Sequence, residues 1–352
     1  MDFSVVHLDL GKEYRGGQRQ VFYLLSSQLE RGIKVALAAR KNSFLLLKVQ
    51  EELPQVPVLA LGGGEFNWLS AFKLASWIKK NNCTFLHTHE ARAVGLSFWV
   101  KKLYPQIRLI HTRRVSYPFR NWWSKKKYTL AEAWVGVSKE ICAYLKQQGL
   151  PASRIFSIPS ALELKRYPLR QKELSSPVIL GIIGALSSQK GHELVLPYLK
   201  HLPFAYRLLI VGEGELRPRL EAQVRLLGLE EQVRFLGFRE SNKILPKLDV
   251  LLVPSKDGEG SSGTIKEAWA SKVPVIASDL RANLELIEPG VNGLIFKLSQ
   301  PETLVEELVK LIEDDDLYFR LTQTGFKEVL NFQVDKMEAK YFQLYTYLLA
   351  EG

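Results

Sequence analysis

Residues 133–150 read AWVGVSKEICAYLKQQGL. Trp134–Val137 is a short β-rich apolar run of strand length. Ser138 follows as an N-cap, because its hydroxyl can accept from an orphan N–H of the next helix's first turn. Helical spacing then carries to Gln148. Gly149 closes the helix, where the left-handed backbone of a C-terminal stop suits glycine. A strand that feeds directly into a helix is the repeating unit of a parallel sheet wrapped by helices.

The same unit repeats in both directions. On the N-terminal side, strands are predicted at Phe3–Leu10, Lys34–Ala39, Val56–Leu61, Thr84–Thr88 and Arg108–Thr112, with Ile155–Ile158 following the quoted stretch. Helices are predicted at Gly17–Arg31, Trp68–Lys80, Ala91–Leu103 and Ser138–Gln148. Lys165–Pro177, charged and proline-containing, reads as a linker. A second alternation follows, with strands at Val178–Ile183, Arg207–Val211, Val233–Leu236, Val250–Val253, Val275–Ala277 and Leu294–Phe296. Its helices are Gly191–Leu199, Glu215–Leu227, Ser262–Ala270, Pro301–Glu313 and Asp316–Leu330, and a last helix spans Val334–Leu349. The 352 residues are long enough for two α/β domains, doubly wound and facing a cleft at the C-terminal ends of their strands.

No window reaches the roughly 18 to 20 apolar residues of a membrane-spanning helix. MDFSVVHLDLG carries an acid at position 2 and reads as a strand rather than a signal peptide. Cys83 and Cys142 lie far apart without a CxxC pair, which suits a reducing cytosol. The net charge of +11 is unevenly spread. Residues 1–176 hold 28 Lys/Arg against 12 Asp/Glu, while residues 177–352 hold 20 against 25. Lys101–Lys127 carries nine basic residues and no acid, interleaved with Tyr104, Tyr117, Phe119, Trp122 and Trp123. Basic and aromatic residues together suit an anionic lipid headgroup, an anionic glycolipid or a nucleic acid, or else form a solvated basic face.

PSKDGEGSSGTIKEAWASKVPVIAS, residues 254–278, holds two carboxylates eight positions apart. The spacing puts Glu259 in a loop and Glu267 inside the following helix. Backbone N–H groups around Ser261–Thr264 then suit a diphosphate. In GIIGALSSQKGHELVL, Lys190 and Gly191 stand where a helix begins, and a lysine there would add to the helix dipole in neutralising a diphosphate; a surface lysine at a turn is the plain alternative. Gly212 and Gly214 in LLIVGEGELRPRLE contact a base or ribose, or simply close a turn. Gly16 and Gly17 allow close backbone approach to a phosphate or sugar, or form an ordinary turn. No GxGxxG and no GxxxxGK[ST] occurs. HTHEARAVG puts His89 and Glu90 at a strand end, and LIHTRRVSYPFR does the same for His111, Arg113 and Arg114. With six histidines and no tight His/Asp/Glu cluster in the sequence, no metal site is expected.

Together these motifs resemble the family 4 (group 1) retaining glycosyltransferases of the GT-B fold. YRGGQRQVFYLLSSQLERGIKV is similar to the family's N-terminal glycine loop and first helix, GALSSQKGHELV to its lysine-glycine segment, and WVGVSKEICAYL to its strand–helix joint. EGSSGTIKEAWASKVPVIAS and LELIEPGVNGLIF are similar to its two adjoining signatures. The resemblance implies two Rossmann-like domains: residues 1–170 for the acceptor and 177–331 for the nucleotide sugar. The helix at 332–352 would cross back to the first. It implies that Glu267 holds the donor ribose and Glu259 the transferred sugar. Lys190 would hold the diphosphate, with backbone N–H groups of Ser262, Gly263 and Thr264 helping. Gly16, Gly17, Gly184, Gly212, Gly214 and Gly260 complete the donor site, and His89, His111 or Arg114 would stand near the reacting carbon.

The implied reaction is metal-independent transfer with retention, without a cofactor. The donor is a nucleotide-diphosphate sugar, and the acceptor an anionic lipid-linked glycan such as a lipopolysaccharide core precursor. The enzyme would sit on the inner face of the cytoplasmic membrane through its basic aromatic half, with no nucleic-acid partner. A catalytically silent partner subunit and a GT-B-fold nucleotide-sugar epimerase are the alternatives. Four positions depart from the family pattern. Ala185 replaces an arginine. Pro159-Ser160-Ala161-Leu162-Glu163 replaces a Pro-Asn-Gly-x-Asp turn. Gly263 is shifted behind Ser262. Arg114 stands in register with a histidine, and His111 lies three residues earlier.

Overall fold

A computed structural model describes residues 3–13, 16–258 and 260–351. The chain forms two compact units, Met1–Ala161 with Val334–Gly352, and Leu162–Gln333.

The first unit is built on seven parallel strands: β1 Ser4–Asp9, β2 Lys34–Arg40, β3 Val58–Leu61, β4 Phe85–Thr88, β5 Arg108–Arg113, β6 Ala133–Gly136 and β7 Ile155–Ser157. They lie in the order β3-β2-β1-β4-β5-β6-β7. The strands are apolar along both faces because helices cover both. On one face Val5, Leu24, Leu37, Tyr341 and Leu344 share a core. On the other, Val6, Leu8, Leu74, Leu96 and Leu109 do. Ser138 caps the helix Lys139–Gln147 by accepting from the Ile141 N–H at 3.2 Å.

The second unit has six parallel strands: β8 Val178–Ile183, β9 Tyr206–Val211, β10 Val233–Gly237, β11 Val250–Val253, β12 Val275–Ser278 and β13 Leu294–Phe296. Their order is β10-β9-β8-β11-β12-β13. In both sheets the first strand lies at the middle and the order reverses beside it. Each is therefore a Rossmann-like doubly wound sheet, with its switch point between β1 and β4 or between β8 and β11. Ligands of such sheets bind beyond the C-terminal strand ends at that point.

Several details differ from the sequence reading, among them the short helices Trp122–Lys126, Ser241–Ile244 and Arg281–Leu284, where no element was predicted. A helix spans Phe44–Glu52, capped by Ser43 accepting from Leu46 N–H, where no element was predicted. β3 begins at Val58 rather than Val56, and Pro57 just before it has no N–H for a ladder. The expected linker is clamped onto the second unit. Arg170 and Lys172 reach the fully buried Asp249 at 2.6 and 2.8 Å, and the Ile179 N–H donates to the same carboxylate at 2.7 Å. Leu162–Arg170 thus belongs with the second sheet. The helix Val334–Ala350 belongs to the first unit, where Tyr345 bonds His87 at 2.7 Å.

Candidate functional site

In the second unit, the loops leaving β8, β9 and β11 are packed backbone on backbone. Gly191 lies at φ +67, and a Cβ there would stand 2.0 Å from the Pro254 carbonyl oxygen. A Cβ on Gly212 would meet the Gly184 oxygen at 1.9 Å, and one on Gly214 the Leu186 oxygen at 2.3 Å. Only glycine allows these approaches. Lys190 ends a short 3-10 turn, Ser188–Lys190, just ahead of the helix His192–Leu199. Its aliphatic stem runs beside Gly184, where a Cβ would lie 3.3 Å from Lys190 Cε. Gly184, Lys190, Gly212 and Gly214 therefore gather at the C-terminal ends of β8 and β9. Ala185 occupies the turn without a charge of its own.

The loop after β11 leads to the helix Gly263–Ala270, with Ser262 at its N-cap. Ser262 Oγ lies 3.1 Å from Thr264 Oγ1. Nothing lies within 4 Å of a Cβ built on Gly263, so the helix start can be approached closely from that side. Glu267 is buried one turn into the helix, at 5% exposure. Lys266 is also buried, donates to Ser261 Oγ at 2.9 Å and lies over the Phe332 ring. Trp269 anchors the helix by donating to the Asn292 carbonyl at 2.9 Å. Gly260 adjoins this helix start, and Glu259 lies outside the described residues.

In the first unit, Gly16 and Gly17 open the helix Gly16–Glu30, and Arg114 Cδ is 3.6 Å from a Cβ placed on Gly17. Arg114 donates to Ser160 Oγ at 3.2 Å. Asp9, at the end of β1, accepts from Gly11 N–H at 2.8 Å and from Gln18 Nε2 at 3.1 Å. Glu90 caps the helix Ala91–Leu103 through the Arg92 and Ala93 N–H groups. Burial raises both carboxyl pKa values, and the charge of Asp9 raises that of Glu90 further. Burial lowers Arg114, opposed by Tyr341 and Asp9. Asp9 and Gln18 were not singled out from the sequence, and Ser160 only as part of the turn that departs from the family pattern. An acid ending the first strand of a doubly wound sheet was the available signal for Asp9.

The two candidate histidines point to opposite faces of the sheet. His111 is fully buried, 2.8 Å from Thr88 Oγ1, with its ring edge against Tyr128. Burial pushes its pKa down to about 3. His89 is also buried, and it belongs to a group the sequence did not reveal. His7 on β1 pairs in register with His87 on β4, and His89, two residues on, shares the face of His87. Ring nitrogens of the three lie within 4.8 Å of one another, so the reading that no tight histidine cluster exists is corrected. His7 Nδ1 is 2.9 Å from His89 Nε2 and its Nε2 is 2.7 Å from Gln28 Oε1. His87 contacts Tyr345 OH and Thr112 Oγ1, each at 2.7 Å. Both nitrogens of His7 and His87 are thus engaged, and a metal ion would have to displace these partners. Burial holds His7 down at about 4, and burial followed by the neighbouring rings keeps His87 and His89 well below the ordinary imidazole range.

The basic stretch Lys101–Lys127 is not one surface. Arg113 is buried among the Phe119, Tyr128 and Tyr144 rings. Lys127 is buried too, donating to Glu65 and to the Ala91 carbonyl. Lys102, Arg120, Lys125 and Lys126 remain exposed. Among the described residues, no helix is long and apolar enough to cross a membrane.

Comparison with known proteins agrees with this architecture. The Anabaena protein HepE, solved in complex with UDP, superposes with a TM-score of 0.84 at 16% identity, over 98% of this chain and 100% of that one. The fold is that of the GT-B glycosyltransferases. Two family models between them take in most of the chain: Glycosyltransferase Family 4 over residues 14–166, and Glycosyl transferases group 1 over residues 177–314. The chain belongs to the family 4 (group 1) glycosyltransferases. It is 29% identical to an uncharacterized glycosyltransferase of Methanocaldococcus jannaschii over 162 residues, which is 44% of this chain and 44% of the relative. Less than half of that relative's length is matched. Over 300 residues it is 26% identical to the phosphatidyl-myo-inositol mannosyltransferase of Mycobacterium leprae, 80% of this chain and 78% of that one.

Proposed function

We propose that this chain transfers a sugar, with retention of anomeric configuration and without a metal ion, from a nucleotide-diphosphate sugar to an anionic lipid-linked glycan of the cell envelope. The observation that carries the donor half is the tight glycine packing of the loops after β8, β9 and β11 around Lys190, beside the open helix start at Gly263. Glycines leave these loops without side chains of their own at that point, and a lysine with helix N–H groups suits a diphosphate. The Anabaena relative's complex with UDP supports the same donor class. A lipid acceptor is supported by the Mycobacterium leprae relative, whose name gives phosphatidyl-myo-inositol as its substrate.

In this reading the bond from the sugar's anomeric carbon to the diphosphate breaks, and negative charge collects on the leaving phosphate. Lys190 and the N–H groups at the start of Gly263–Ala270 offset that charge as it develops. Glu267 accepts from the ribose hydroxyls, and Glu259 from hydroxyls of the departing sugar. Arg114, Asp9 and Glu90 line the strand ends of the first unit on the acceptor side, and the enzyme works at the inner face of the cytoplasmic membrane.

Thermal-shift screening of UDP, GDP, ADP and their sugars tests the donor half, because a specific ligand stabilises by RT ln(1 + [L]/Kd). One nucleotide is expected to raise Tm in wild type and much less in Glu267→Ala. Absence of a shift with every nucleotide refutes the donor reading. A shift without transfer to any lipid-linked glycan would favour a catalytically silent relative, a reading that the neutral Ala185 also supports.

A further inference from the structure

The first unit exposes large apolar side chains close together. Leu69 is 84% exposed, Trp122 71% and Phe72 65%, with Phe66 and Trp68 both at 56%. Trp68, Leu69 and Phe72 lie at helical spacing on the outer side of Trp68–Lys80, whose inner side buries Ala71, Leu74, Ala75 and Ile78. Phe66 stacks on Trp123 with ring centroids 5.4 Å apart, Trp123 stacks on Trp99 at 5.6 Å, and Trp99 meets Trp68 at 4.3 Å. These contacts join the exposed Phe66 and Trp68 to the half-buried Trp99 and Trp123. Contiguous exposed apolar surface of this kind marks an interaction site.

The helices around it carry charge of one sign. The helices Trp68–Lys80, Ala91–Leu103 and Trp122–Lys126 that carry these rings contain no acidic residue, and each has two lysines in its last turn. Lys126 lies 5.5 Å from the Trp122 ring centroid. Glu65, nearby, is taken up by Lys127. Aromatic and leucine side chains for the acyl boundary, ringed by lysines for the headgroups, suit an anionic bilayer surface. Trp68 follows the loop leaving β3, and Trp122 the loop leaving β5. Both therefore stand toward the end of the sheet where Asp9, Glu90 and Arg114 lie.

We propose that Leu69, Phe72 and Trp122, with Lys102, Lys125 and Lys126 around them, form the surface by which this chain docks on an anionic lipid bilayer. The proposal rests on the lipid-linked acceptor reading above and gives that acceptor its route to the first unit. It moves the membrane contact from the basic stretch as a whole to the helix Trp68–Lys80 and the tip at Trp122.

Co-flotation of the full chain tests this, using vesicles of phosphatidylcholine alone and vesicles of two parts phosphatidylcholine to one part phosphatidylglycerol. Neither donor nor acceptor is present, so the outcome is independent of the nucleotide screen that tests the transfer reading. Wild type is expected on the anionic vesicles and not on the neutral ones. Leu69→Ser/Phe72→Ser is expected to lose partitioning by about tenfold or more at any salt, with an unchanged melting curve because both side chains are exposed. Lys125→Glu/Lys126→Glu is expected to lose binding most at low salt. The proposal is overturned if wild type ignores anionic vesicles or if the Leu69/Phe72 variant binds as wild type does. It is equally overturned if light scattering shows a dimer that this variant turns into a monomer, which would assign the surface to a second copy of the chain.

Discussion

Gly191 and Gly228 have the same backbone conformation in different surroundings, and alanine at each separates two effects. Their φ angles are +67 and +68. A Cβ on Gly228 meets nothing within 4 Å, whereas one on Gly191 lies 2.0 Å from the Pro254 oxygen and 3.1 Å from its carbonyl carbon. Gly228→Ala carries only left-handed strain, about 1–2 kcal/mol. Gly191→Ala carries the same strain and a clash with main chain, which cannot rotate aside; forcing the two loops apart adds about 1–3 kcal/mol. Both sites lie in the second unit, and the loss of unfolded-chain freedom is common to both variants. The difference between them therefore isolates the packing of the β8 loop on the β11 loop. Six of the chain's seven tryptophans lie in the first unit and only Trp269 in the second, so fluorescence reports poorly on these changes. Hydrogen exchange of the second unit's amides in urea is the better assay. Gly191→Ala is also expected to weaken stabilisation by the nucleotide, and Gly228→Ala to leave it intact. Equal destabilisation by the two variants would refute the packing argument.

Three further outcomes follow from other parts of the molecule. Asp249→Ala strands the buried Arg170 charge and the Ile179 N–H, and is expected to destabilise the second unit by about 3–5 kcal/mol in urea unfolding; a loss under 1 kcal/mol would show that the clamp contributes little. His192 is buried with neither ring nitrogen bonded, and burial lowers its pKa to about 4. Above its unfolded value near 6.5 both states are neutral, while below it only the unfolded chain takes up the proton, until the folded state follows near pH 4. His192→Leu should therefore gain on wild type by roughly 1.4 kcal/mol per pH unit as pH falls through that window, and a pH-independent difference in urea midpoints would contradict this. Lys190→Ala is expected to reduce turnover far more than it reduces binding of the bare nucleoside, and equal losses measured by radiolabel transfer and calorimetry would remove Lys190 from leaving-group stabilisation.

The alternation of strands and helices was legible because each joint is marked locally, as at Val137, Ser138 and Gly149. The helix Phe44–Glu52 escaped because its apolar residues are bunched at the start, in Phe44–Leu47; the capping Ser43 was the cue. The donor-side loops were legible as motifs, since glycines and Lys190 sit at fixed offsets from strand ends. Their reason was not, because the contact between Gly191 and Pro254 joins distant stretches of chain. The histidine cluster was hidden for the same cause: His7 meets His87 only through the register of β1 on β4. Charge runs proved the least transparent. Lys127 and Lys126 are neighbours in sequence, and only one of them reaches the surface.

The helix Val334–Ala350 has a consequence for the order in which the protein matures. The chain leaves the first unit at Ala161 and returns to it only at Val334. On the ribosome, the first sheet is synthesised early, yet His87, Thr112 and the Phe3–Phe85 wall wait for Tyr341 and Tyr345 to arrive last. The second unit can close on its own sequence before then. The sheet made first is thus covered last, through contacts between residues far apart in the chain. Until that helix docks, Phe3, Phe85 and His87 lack the cover that Tyr345 gives them.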